Sequence, residues 1–125
     1  MAKVATAGLT ISSVPYGESV VAGDLVGWSD NKLVPACGGA GNVIQAVGVA
    51  AASYKSGDAG AMHLMCEVAG FSGLTPGAAQ YLSLSTPGST QPAVPSGSGN
   101  LKQIVGYAVA ANRVAIVLQD AGVTL

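Results

Sequence analysis

Ala22-Gly23-Asp24-Leu25-Val26, followed by the turn Ser29-Asp30-Asn31-Lys32 and then Ala46-Val47-Gly48-Val49-Ala50, is the stretch on which the reading of this chain turns. It returns in the second half as Pro76-Gly77-Ala78-Ala79-Gln80-Tyr81-Leu82, the turn Ser85-Thr86-Pro87-Gly88, and Ile104-Val105-Gly106-Tyr107-Ala108. In each copy a glycine leads an apolar segment, a polar turn follows, and the unit reaches an alternating segment through a Val-Gly pair. The leading glycines lie 54 positions apart and the Val-Gly glycines 58 apart. A repeat of this kind describes two related β modules built for shape, and no reaction centre recurs with it.

Working outward, the remaining segments read the same way. Eighteen glycines and six prolines are spread along 125 residues, which leaves almost no window long enough for an uninterrupted helix. Short apolar runs bounded by Gly, Pro, Ser, Asn and Asp read instead as strands joined by turns. Leu9-Thr10-Ile11-Ser12 alternates with the two-residue period of a half-buried strand that Pro15 ends. Leu25–Trp28 and Lys32–Ala36 predict a hairpin, Cys37–Asn42 a flexible loop, and Val43–Ala52 a longer strand. A short helix within Ala46–Tyr54 is the rival reading; Gly48 and the β-branched Val47 and Val49 weigh against it.

Ala61–Ala69 predicts a strand with Met62, Leu64, Cys66 and Val68 on one face and His63, Met65 and Glu67 on the other. Ala79–Leu84 and Ser89–Ala93 flank a second turn, and Leu101–Ala110 faces Arg113–Leu118 across Ala111-Asn112. The expected fold is all-β, a compact sandwich or small barrel with a weak internal two-fold repeat and an extended N-terminal arm. The arm and first strand occupy 1–14, and a single β domain occupies 15–125. The arm, Met1–Gly8, is too small and polar to make a core alone. It is either a loose end or a strand added to the sheet edge of a neighbouring subunit or partner.

Composition narrows the function. Half of the residues are hydrophobic, and only 9% are charged, against about a quarter in ordinary domains. With a mean hydropathy of +0.50, such a surface suits a protein largely covered by copies of itself or by a partner. Five basic and six acidic residues give a net charge of −1. Lys3, Lys32, Lys55, Lys102 and Arg113 form no stripe for a phosphate backbone and no patch for anionic lipid. Apolar stretches are too short to span a bilayer as helices. Met1–Gly8 lacks the apolar core of a signal peptide, which predicts no export by that route.

Chemistry-bearing residues are sparse. His63 is the single histidine, expected as an exposed strand residue, with no Gly-x-Ser-x-Gly elbow in support of a nucleophile. His63 and Cys66 have a His-x-x-Cys spacing but point to opposite strand faces, which disfavours a shared metal. Cys37 and Cys66 are expected as two free thiols, Cys66 acting as a small hydrophobe. The carboxylates Glu18, Asp24, Asp30, Asp58, Glu67 and Asp120 sit mostly in or beside turns, where they cap backbone N–H groups. Gly38-Gly39-Ala40-Gly41-Asn42 carries neither phosphate-loop nor dinucleotide spacing. The expectation is a non-enzymatic protein with no cofactor.

The segments Ala22–Val26, Ala46–Ala50, Ser56-Gly57-Asp58, Glu67–Gly70, Leu74-Thr75-Pro76-Gly77, Tyr81-Leu82, Pro87–Thr90 and Val105–Ala108 together resemble the pattern of tailed-bacteriophage capsid decoration, or cement, proteins. The resemblance covers about Ala22–Leu118. It implies a protein made in the host cytoplasm that binds the major capsid protein on the outer surface of the mature head and stiffens the shell. Self-association is implied as well, with a homotrimer expected. No nucleic-acid or membrane partner is expected. Capsid or inter-subunit contacts are expected among Val4, Leu9, Ile11, Tyr16 and Trp28. The Leu-Thr-Pro-Gly…Tyr-Leu pattern is also similar to segments of phage head fibres and tail proteins. That implies the alternative, a receptor- or glycan-binding module using Trp28 and Tyr81.

Overall fold

The computed structural model describes residues 4–118 and 122–125, with the side chains of 4–8 outside the description. Its described residues contain eleven strands and no helix, which settles the Ala46–Tyr54 alternative. The strands are β1 (Val4–Pro15), β2 (Leu25–Ser29), β3 (Lys32–Pro35), β4 (Gly48–Ala50), β5 (Ala59–Ala69) and β6 (Ala79–Leu82). They continue as β7 (Thr90–Gln91), β8 (Leu101–Lys102), β9 (Ile104–Ala110), β10 (Arg113–Val117) and β11 (Val123–Thr124). Nine form one curled sheet in the order β3-β2-β4-β5-β10-β9-β6-β7, with β1 attached to β5. A small second sheet joins β11 to β8. The fold is consistent with a sandwich or small barrel.

The strand order reads as two halves meeting at β5 and β10, and the repeated sequence explains why. Gly23 and Gly77 both have φ near +90° (90° and 88°), a conformation that glycine adopts without a Cβ clash. Gly23 N–H donates to Ala50 O at 3.0 Å, and Gly77 N–H donates to Ala108 O at 2.7 Å. In return Ala50 N–H donates to Asp24 O at 2.8 Å, and Ala108 N–H donates to Ala78 O at 2.9 Å. Ladder partners correspond as well: Leu25 faces Val49 as Ala79 faces Tyr107. The first module is β2-β3-β4-β5 and the second is β6-β7-β9-β10, joined by the antiparallel β5–β10 pair.

Local chemistry fixes the turns. Asp30 and Asn31, both at positive φ (52° and 65°), close the two-residue β2–β3 hairpin, as residues tolerant of that region do in primed turns. Asp24 and Asp58 each accept a hydrogen bond from the backbone N–H three residues earlier, Val21 at 3.0 Å and Lys55 at 2.8 Å. These carboxylates brace the turns that precede β2 and β5; Asp120 lies outside the described residues.

Two apolar clusters hold the layers. Leu25, Ala36 and Val49 pack with Val68, Leu82, Leu101, Val105, Val114 and Ile116. One residue along the same strands, Val26 and Ala50 pack with Val14, Tyr16, Val20, Leu33 and Met62. Leu25–Gly27 and β4 are thus buried on both faces, which is why they read as unbroken apolar runs and not as alternation.

Three expectations need correction. The strand expected over Val43–Ala52 is confined to Gly48–Ala50. Upstream, the N–H and C=O of Ala46 are both taken by the side-chain amide of Gln103, at 3.0 Å each, so no strand can pair there. His63 is not exposed: only 6% of it meets solvent, because Thr10 and Val49 flank it on the two neighbouring strands. Of the expected arm, Met1–Lys3 lie outside the described residues, and Val4–Gly8 are the beginning of β1, which runs along β5 of its own chain from Val4↔Ala69 to Pro15↔Ala59.

Candidate interaction face

Four of the exposed large hydrophobic residues, Leu9, Met65, Tyr107 and Val109, lie on one side of β1, β5, β10 and β9. Ladder partners place side chains on a common face. Leu9, Met65 and Val117 therefore form one row across three strands. Glu67, Ala115 and Tyr107 form the next row, and Val109 lies two residues beyond Tyr107 on β9. Leu9 is 63% exposed, Met65 50%, Val109 45% and Tyr107 41%. Among the described residues the charges on this face are Glu67 and Arg113, whose Oε1 and Nη1 lie 3.0 Å apart. Both side chains are well exposed, so this pair adds little to stability.

The modules differ in what covers this face. Leu25 and Val49 of the first module enter the main cluster, while Ala79 and Tyr107, their counterparts on β6 and β9, face outward. The next residue on β9, Ala108, is buried. What the arrangement offers is a neutral, shallow, mostly apolar surface.

Buried polar groups serve the scaffold. His63 Nδ1 and the Thr10 hydroxyl share a 2.8 Å hydrogen bond that ties β1 to β5. The Tyr16 hydroxyl donates to Ala61 O at 2.8 Å, while Ala61 N–H donates to the Tyr54 hydroxyl at 2.9 Å. The two rings lie 4.7 Å apart, clasping both backbone groups of one residue. Burial, and after it the neighbouring Tyr54, pushes the Tyr16 hydroxyl up from 10.0 to about 12. Burial pushes the Cys66 thiol up from 9.0 to about 11, away from the thiolate that reactive cysteines need. Cys37 and Cys66 are both free thiols, and Cys37 Sγ donates weakly to Leu84 O at 3.5 Å. No group of three or more His, Cys, Asp or Glu positioned to hold a metal occurs among the described residues.

Of the five contact residues expected from sequence, Leu9 lies on this face and Ile11 is exposed farther along β1. Val4 pairs with Ala69 through its backbone, and its side chain is outside the description. Tyr16 is fully buried. Trp28 is exposed on the separate β2–β3 hairpin, opposite Leu33. Sequence reasoning missed Met65, Tyr107 and Val109. Their alternation with buried neighbours was visible, but which alternating face goes uncovered depends on the layering. Comparison with known proteins found no matching family model, no matching curated protein and no matching solved structure. Among the described residues no helix is long and apolar enough to cross a membrane.

Proposed function

We propose that this chain is a capsid decoration protein, which binds the major capsid protein on the outside of the mature phage head and stabilises the shell as a homotrimer. The observation that carries the reading is the exposed apolar face that runs across β1, β5, β10 and β9, on a chain with few charges. Such a surface binds by shape and desolvation. Stabilisation needs only preferential binding to the expanded shell, and many modest contacts repeated around a symmetric shell add up through multivalency. The polar groups support a binding role over catalysis: the single histidine is held by Thr10, and Asp24 and Asp58 brace turns.

Co-sedimentation with unexpanded and expanded capsids tests it. Saturable binding to expanded shells alone is the expected result, and binding to neither refutes the proposal. The exposed Trp28 on its hairpin favours a second reading, a receptor- or glycan-binding module of a head fibre or tail. In that case Trp28→Ala abolishes glycan binding, and the protein ignores capsids.

A further inference from the structure

We infer that the face carrying Leu9, Met65, Tyr107 and Val109 is where copies of this chain meet one another. The inference deepens the proposed function, and it rests on that reading only for the three-fold form of the assembly. Two observations select a second copy as the occupant.

The first is internal. The chain has two copies of one module, and in the first it covers the positions that correspond to Ala79 and Tyr107: Leu25 and Val49 are packed beneath residues of β6, β9 and β10. The corresponding positions of the second module, around Tyr107, are covered by no further strand among the described residues. Protein of the same composition is therefore a partner that such a face is known, within this molecule, to accept.

The second is charge. Among the described residues the face holds one anion and one cation, Glu67 and Arg113, in contact at 3.0 Å. A polyanion or an anionic bilayer gains nothing from a pair already neutralised. Another copy presents the same neutral pair, so Glu67 of one copy and Arg113 of the next can exchange partners without stranding a charge. With only 9% charged residues, repulsion between copies is small.

Analytical ultracentrifugation of the full chain tests this. The wild type is expected to sediment as a concentration-dependent oligomer. Met65→Lys and Tyr107→Lys should each raise the concentration for half-assembly by about 30-fold or more, as loss of an interface anchor does, and return the protein to its 12.1 kDa monomer. Glu67→Arg and Arg113→Glu should each disperse the oligomer alone, and the double charge swap Glu67→Arg/Arg113→Glu should restore it. Circular dichroism confirms that each variant is folded.

A wild type that stays at 12.1 kDa up to millimolar concentration overturns the inference, as does an oligomer that survives all four substitutions. So does a variant that keeps its oligomer and loses only capsid binding, because the face then belongs to the shell. Variants that disperse, in a protein whose wild type ignores capsids, sustain this interface while refuting decoration.

Discussion

The two modules share a backbone plan but not a fate. In the first, Leu25-Val26 of β2 and all of β4 are buried on both faces, between the second module and the Val14–Tyr16–Val20 segment. In the second, β9 buries one face and leaves Tyr107 and Val109 in solvent. One sequence pattern thus supports two environments, and what differs is the covering laid over it. Hydrogen-bond geometry is the shared part of the repeat; burial is not.

The comparison is broken most severely at the Val-Gly glycines. A Cβ at Gly106 would collide with the backbone carbonyl of Ala115, while one at Gly48 would first meet the flexible Met62 side chain. Gly106→Ala should cost more than about 3 kcal/mol and Gly48→Ala about 1–3 kcal/mol. Urea unfolding of both variants checks the order; equal losses would mean that the two sites are equally tight.

Next comes the tie between modules. Gln103, fully buried, bonds both backbone groups of Ala46. Gln103→Leu strands that N–H and C=O and should cost about 3 kcal/mol. An unchanged urea midpoint would show that other groups or water take over.

Alkali separates the covered layer from the exposed one. Cys66 and Tyr16 keep their protons in the folded state up to about 11 and about 12, against ordinary values of 9.0 and 10.0. The unfolded chain therefore loses these protons first, and stability falls as pH rises above about 9, with no contribution from either group near pH 7. The urea midpoint should drop between about pH 8 and about pH 10.5, and less so in Cys66→Ala. A flat profile over that range would remove both groups from the account.

The smallest effect has the opposite sign. Gln80 is 1% exposed, and neither polar atom of its amide has a partner, whereas the corresponding residue of the first module is Val26. Gln80→Met keeps the volume and discards the orphaned amide, so it should stabilise the protein by about 1 kcal/mol. A loss of stability would point to a water bound beside the amide.

Much of this architecture was legible because turn chemistry and glycine placement are local. Asp30-Asn31 and Ala111-Asn112 mark their hairpins, and the paired glycines mark the repeat. The layering was not legible. Alternation along β5 separates Met65 from Cys66 but does not say that β10 leaves Met65 bare. His63 reads as exposed because nothing local announces that β1 will lie beside it. Nor does the sequence near Ala46 disclose that a glutamine 57 positions away stands in for a strand. The β8–β11 pair escapes for the same reason, as two-residue strands carry no periodicity. The candidate face was half legible: Leu9 stands out by its alternation, while Tyr107 and Val109 require knowing what lies above β9.

The long registry of β1 against β5 also bears on how the chain is made. Val4–Pro15 contains no charged residue, and its first pairing is with Ala69. At ribosomal speeds of about 5–20 residues per second, β1 emerges roughly 3–13 s before the last of its partner is synthesised. During that interval the partner strand of β1 is incomplete, and pairing with a strand of another nascent chain can compete with correct folding. Slower synthesis lengthens the exposure, so yield of soluble protein depends on translation rate as well as on final stability.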